Sequence, residues 1–110
     1  ISIPIFTSQL EKAREATDAA NIRSAYAAVS TDVLTDPGKE DTQNGVKYAA
    51  GTDGKGGKYT ATVAATQKQK EWQSNIGKIG GQDVSANTLN GYTIEGDVEA
   101  GTVTIKEATK

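Results

Sequence analysis

The chain has 110 residues, 35% of them apolar and 24% charged, and a formal net charge of −2, a composition typical of one globular domain in water. Histidine and cysteine are both absent, which excludes disulfides, cysteine–histidine zinc sites, thiolate chemistry and the usual general base at neutral pH. The small net charge and the lack of a basic run predict no contact with nucleic acid. We therefore expect neither enzymatic activity nor a cofactor.

Residues 1–35 are predicted to form one long helix. Seven alanines lie between positions 13 and 28 and no glycine interrupts the stretch, so its helix propensity is high. Pro4 lies in the opening turn, where a missing N–H is least costly. Glu11 with Arg14, and Arg14 with Asp18, place opposite charges three and four residues apart, a spacing that stabilises helices.

Local signals mark the ends of this helix. Asp36-Pro37-Gly38 should stop it, because proline disfavours helical geometry in the preceding residue and glycine suits the exit. A start at Ser8, with Glu11 completing a capping box, is the alternative to a start near residue 1. The helical spacing of the apolar residues between Ile3 and Leu10 favours the longer helix.

Two apolar stripes lie on this helix. The first has the spacing of a face that packs on a sheet, and it consists of Ile22, Tyr26, Val29 and Val33. The second, at i, i+3 and i+7, consists of Ile3, Phe6 and Leu10. At about 100° per residue the stripes point in nearly opposite directions. One small domain is thus expected to cover the first and leave the second for another subunit; an N-terminal extension folded back over its own domain is the alternative.

Residues 36–58 are predicted to be a long connector with a short extended piece near residues 46–50. Its sequence GTDGKGGK looks like a phosphate-binding loop but lacks the glycine spacing and the strand-to-helix context. Calcium prefers several oxygen ligands. Four acids of the connector offer them, without the spacing of an EF-hand: Asp36, Glu40, Asp41 and Asp53. A solvated charged loop is the favoured interpretation of both features.

Residues 59–110 are predicted to form an antiparallel sheet, because apolar and polar residues alternate there with a period of two. Tyr59, Ala61, Val63 and Ala65 form one side of the first strand, a short strand is expected about Tyr92 and Ile94, and the last strand is expected to have Val103 and Ile105 inward. The first strand is expected to run on through Gln67 to Trp72, with a turn or bulge among the polar residues as the alternative. A helix followed by a meander indicates a single α+β domain over residues 1–110, with the sheet on the second half of the helix.

The aromatic residues allow a different function. A stacking platform for carbohydrate in a secreted binding module would be formed by Trp72 with Tyr48, Tyr59 and Tyr92. The competing interpretation is that the single tryptophan closes the edge of a small core.

The opening segment resembles a known family. Ile3-Pro4-Ile5-Phe6 is similar to the end of the apolar segment of type IV pilins and pseudopilins, in the style found in Firmicutes. Ala13-Arg14-Glu15-Ala16 and Asn21-Ile22-Arg23-Ser24-Ala25-Tyr26 are similar to the polar continuation of that family's helix. The similarity covers the first quarter of the chain. Beyond it, only the layout of helix, connector and antiparallel strands is shared.

The resemblance implies a structural subunit of a cell-surface filament used for adhesion, DNA uptake or secretion. Its partners would be further copies and the assembly machinery in the membrane, with membrane contact only through a segment preceding this chain. The filament interface would consist of Ile1, Ile3, Pro4, Ile5, Phe6, Leu10, Glu11, Lys12, Arg14 and Glu15. Its charged members would lie partly exposed at the edge of the contact. Without the C-terminal disulfide of many Gram-negative pilins, a Gram-positive or pseudopilin setting is favoured.

Overall fold

The computed structural model describes residues 3–66, 78–84 and 91–108, with side chains from Leu10 onward. The elements are α1 (Ile3–Thr35), β1 (Lys47–Ala49), β2 (Lys58–Val63), β3 (Tyr92–Asp97) and β4 (Thr102–Glu107). The strands form one sheet in the order β1-β2-β3-β4, and each neighbouring pair is antiparallel. The predicted α+β arrangement, one helix packed on an antiparallel sheet, is confirmed.

The strands alternate as their sequences predict. The buried positions include Tyr59, Ala61 and Val63 in β2 and Tyr92 and Ile94 in β3. In β4, Val103 and Ile105 are half-buried and pack against the same core. β2 ends at Val63, so the predicted continuation of the strand through residues 64–66 is wrong. The rest of that continuation, Gln67 to Trp72, lies outside the described residues.

The core lies between the second half of α1 and the sheet. Ile22 and Val29 are fully buried, and Tyr26 and Val33 are half-buried against the same cluster. The helix packs directly over Gly96 of β3, where a Cβ atom would overlap Val33 and lie 2.7 Å from Val29 Cγ1. At this point of the helix–sheet contact, only a residue without a side chain fits.

The exit of the helix is held by the core. α1 ends at Thr35, directly before the predicted stop at Asp36-Pro37-Gly38. The first residue after the helix with a left-handed backbone is Asp36 (φ 43°), although glycine was expected to provide the exit. The Asp36 N–H donates to the Asp32 carbonyl oxygen at 2.7 Å and closes the last turn. The Tyr59 hydroxyl donates to Asp36 Oδ1 at 2.7 Å and accepts from the Gly38 N–H at 2.8 Å. Tyr59 thus links the start of the connector to the sheet.

Tyr59→Phe is expected to lower the free energy of unfolding by about 2 kcal/mol, because it removes the shared partner of Asp36 and Gly38. Burial, followed by the hydrogen bond to Asp36, raises the pKa of Tyr59 to about 12. Since this value lies above the usual 10.0, the contribution of Tyr59 is complete below about pH 10 and is lost as the pH rises through about 12.

Urea unfolding between pH 8 and pH 12 measures this contribution. The wild type should lose stability in that window more steeply than Tyr59→Phe. Tyr48→Phe is the matched control, because it removes a phenol whose ring centre lies 4.9 Å from that of Tyr59. Parallel pH profiles for the wild type and Tyr59→Phe would contradict the assignment.

The outer edge of β4 is paired with a side chain. Gln82 Nε2 donates to the Val103 carbonyl oxygen at 2.8 Å, and the Ile105 N–H donates to Gln82 Oε1 at 3.0 Å. The neighbouring Ile79 is buried in the core and forms a β-bridge with Gln82. One amide side chain therefore bonds to β4 as a further strand would.

Candidate functional site

The helix has a continuous face that the sheet does not cover. From Leu10 onward, residues spaced alternately by three and four positions are all exposed and all uncharged. This set, the outer face, consists of Leu10, Ala13, Thr17, Ala20, Ser24, Ala27, Thr31 and Leu34. This alternation of three and four positions is typical of the seam between two packed helices.

The chemistry of the outer face differs from that of an ordinary solvated helix surface, which carries charged side chains. Six of its eight members are alanine, serine or threonine. The hydroxyl of Thr31 donates to the Ala27 carbonyl oxygen at 3.0 Å, so part of its polarity is satisfied within the helix. Leu10 and Leu34, at the two ends, are 40% and 86% exposed. A second helix can approach such a surface closely without burying a charge.

The outer face continues the helical spacing of the apolar residues in the predicted filament interface. Counting back from Leu10, the same spacing reaches Phe6 and Ile3 in the sequence, and the backbone is helical from Ile3. Ile1 and the side chains of Ile3, Pro4, Ile5 and Phe6 lie outside the described residues. The apolar stripe and the outer face therefore follow one helical register.

Two predicted interface residues point the other way. Glu11 is 2% exposed and Glu15 is fully buried, so the prediction that they lie partly exposed at the edge of a subunit contact is wrong. The physical reason is their helical position, because they share the sheet-facing side of α1 with Ile22. Lys12 is exposed and Arg14 is half-buried. The predicted i,i+3 pair is present, with Arg14 Nη1 at 3.5 Å from Glu11 Oε1.

Asp18 connects the first half of the helix to the chain that follows β2. The Thr66 N–H lies 2.9 and 3.0 Å from the two Asp18 carboxylate oxygens, and the Thr66 hydroxyl donates to Oδ1 at 2.7 Å. Asp18 is fully buried. The apolar periodicity of the sequence did not predict the burial of Glu11, Glu15 and Asp18, because it counts only apolar residues. Their spacing would have found them, since Glu11, Glu15, Asp18 and Ile22 follow i, i+4, i+7 and i+11.

The alternative aromatic platform is not formed as predicted. Tyr59 and Tyr92 are 0% and 1% exposed, and both belong to the core. Tyr48 is half-buried with its ring tilted against Tyr59. Trp72 lies outside the described residues. Two of the predicted stacking surfaces are therefore unavailable to a sugar.

The GTDGKGGK sequence joins β1 to β2, so it is a connection between strands and not the strand-to-helix turn of a phosphate loop. The Gly56 N–H donates to Glu99 Oε1 at 3.0 Å, so a carboxylate takes the place that a phosphate oxygen would need. The predicted preference for a solvated turn agrees with this arrangement.

The four acids of the connector do not form one cluster. Asp36 bonds to Tyr59, and Asp53 occupies a left-handed turn position (φ 54°) in the β1–β2 connection. Glu40 and Asp41 line one groove together with Asp32 of the helix, a residue that the sequence did not single out. Asp32 is therefore the missed member of this group.

No helix in the described parts of the chain combines the length and the apolar character needed to cross a membrane. The outer face is distinguished by the regular spacing and exposure of its residues and not by the mean hydropathy of the helix. Comparison with protein-family models, with curated proteins and with solved structures finds no match to this chain.

Proposed function

We propose that this protein is a structural subunit of a type IV pilus or pseudopilus, which assembles at the cell surface through its N-terminal helix. The observation that carries the proposal is the outer face, an exposed and uncharged seam from Leu10 to Leu34. The resemblance of residues 3–26 to the pilin family supports the same conclusion from the sequence. The partners are then further copies of the chain and the assembly machinery in the membrane.

The outer face supports side-by-side packing of helices for two physical reasons. Small side chains allow helix axes to approach to about 8 Å. Apolar residues add binding energy, about 2 kcal/mol for each large side chain that becomes fully buried, and Leu10 marks the end of α1 where such residues are concentrated in the sequence. In this proposal the apolar N-terminal end of α1 supplies most of the binding energy between subunits. The small residues of the outer face determine how neighbouring helices align.

Charged residues contribute less to this contact than the sequence suggests. Since Glu11 and Glu15 are buried in their own subunit, the edge charge of this segment comes from Lys12 and Arg14. Exposed ion pairs contribute only about 0–1 kcal/mol each. The proposed assembly therefore depends mainly on close packing along the outer face and only weakly on salt concentration.

Leu10→Asp and Ala20→Glu, each placed in the complete gene product, are expected to abolish filaments, because each buries a charge in the helix seam. Electron microscopy of cells and the amount of subunit in the sheared surface fraction measure the effect. Ala100→Glu is the matched control, since Ala100 is exposed in the β3–β4 turn and away from the helix. This variant should form filaments at the wild-type level.

Cross-linking provides a second readout that needs no loss of assembly. The chain has no cysteine, so Ala20→Cys introduces a single thiol on the outer face and Ala100→Cys one away from it. Treatment of cells with a bifunctional thiol cross-linker, which spans more than a disulfide does, should give covalent dimers with Ala20→Cys and not with Ala100→Cys. Normal filaments in Leu10→Asp and Ala20→Glu, or equal cross-linking at both positions, would refute the proposal.

A further inference from the structure

Asp32 is a buried acid that helix packing does not explain. It is only 6% exposed, and its Oδ2 atom has no hydrogen-bond partner. A carboxylate oxygen that is removed from water without a donor or a counter-ion is unfavourable. The position therefore requires either a proton or a positively charged ligand.

Asp32 lines a groove of about 380 Å³ next to the loop that follows α1. The other residues that line this groove are Pro37, Lys39, Glu40, Asp41, Thr42 and Gln43. The Asp41 carboxylate accepts hydrogen bonds from Asn44, at 3.2 Å from its N–H and 2.8 Å from Nδ2. The carboxyl groups of Asp32 and Asp41 lie within hydrogen-bond reach of each other. The buried acid and the loop acid therefore form one close pair.

The end of the helix adds to the negative potential of the groove. A helix C-terminus carries a partial negative charge that basic residues usually balance. The last turn of α1 has no basic residue, and Asp32 lies close to it. Lys39 is exposed and forms no ion pair with either carboxylate. The described part of the chain therefore supplies no cation to this pair of acids.

We propose that the groove between the end of α1 and the following loop binds a hard divalent cation of the calcium type, with the carboxylates of Asp32 and Asp41 as its anionic ligands. Calcium is held by carboxylate, carbonyl and amide oxygens and by water. Each Asp41 oxygen has a second lone pair beside the one that accepts from Asn44. Glu40, Thr42 and Gln43 bring further oxygen atoms to the same groove.

The number of anionic ligands sets the expected affinity. In the described residues no three acidic side chains converge on one point, so the proposed site has two carboxylates at its centre. A site with so little ligand charge belongs to the weak class of calcium sites, with Kd on the order of 10⁻⁴ to 10⁻³ M. Such affinities suit extracellular calcium levels, so we expect the groove to fill outside the cell.

Calcium titration of the ¹⁵N-labelled protein at constant ionic strength tests the site. Amide signals of residues 39–44 should shift with a Kd on the order of 10⁻⁴ to 10⁻³ M. Asp32→Asn and Asp41→Asn should each weaken binding at least tenfold. Asp53→Asn is the matched control, because it removes the same charge from an exposed left-handed position that asparagine tolerates. Magnesium, which prefers a tighter octahedral site, should bind more weakly.

Three results would overturn the proposal. The first is the absence of calcium-dependent shifts in residues 39–44, and the second is equal weakening by Asp53→Asn. The third is a calcium-insensitive protein whose melting temperature rises on Asp32→Asn, which would show that a shared proton occupies the pair instead of a cation. If Asp32→Asn fails to fold, Asp41→Asn gives the result, because Asp41 is a half-buried residue in an otherwise exposed loop and its replacement should not prevent folding. Unchanged calcium binding by Asp41→Asn would then overturn the proposal.

Discussion

Gly96→Val is expected to destabilise the protein by about 3 kcal/mol, which corresponds to a fall in melting temperature on the order of 12 °C. A side chain at this position would enter the space that Val33 and Val29 of α1 occupy. Gly96 does not occupy a left-handed conformation, so the cost is steric and not one of backbone strain. Thermal and urea unfolding measure the loss.

A double-mutant cycle identifies the cause of that loss. Gly96→Ala adds only the Cβ atom, and Val33→Ala removes the methyl groups that it would meet. Each single change should destabilise, and the double variant should be more stable than the sum of the two predicts, because the new atom occupies the space that was emptied. Strictly additive effects would show that the helix does not rest on Gly96.

Asp18→Ala is expected to lower the free energy of unfolding by about 3 kcal/mol, because it removes the buried acceptor of the Thr66 N–H and leaves the Thr66 hydroxyl with only the Arg14 carbonyl oxygen, at 3.3 Å. The fully buried carboxylate lies within 3.0 Å of both donors. Urea unfolding gives the free energy, and hydrogen exchange at Thr66 should become faster.

Thr66→Val provides the graded control for this anchor. It keeps the volume of the side chain and the backbone N–H, and removes only the hydroxyl donor, so its expected cost is about 1 kcal/mol. An Asp18→Ala variant that is no less stable than Thr66→Val would show that the carboxylate does not hold the chain after β2 against the helix.

Much of the architecture is predictable because burial of apolar surface dominates folding and leaves a periodic trace. Ile22 and Val29 lie on the buried side of α1 because their spacing matches the helical repeat. Tyr59, Ala61 and Val63 alternate as a strand requires, and all three are buried. Even the end of the helix is encoded locally, in the residues around Pro37.

The polar part of the structure was less predictable, because its partners are distant in the chain. Asp18 and Thr66 are separated by 48 positions, so no local pattern connects them. Asp32 was missed for a related reason, since its burial depends on how the loop after the helix folds back. The outer face is visible as an alternation of three and four positions only when alanine, serine and threonine are counted, and its exposure depends on where the sheet lies.

The Gln82 amide on β4 has a consequence for how copies of this chain meet at high concentration. An unpaired strand edge is a template on which a foreign strand can grow into a cross-β ladder. At Val103 and Ile105 the backbone groups of that edge are already bonded to Gln82. Recruitment of another molecule there must first displace an intramolecular bond pair, which disfavours amyloid-type growth from the β4 edge of the sheet.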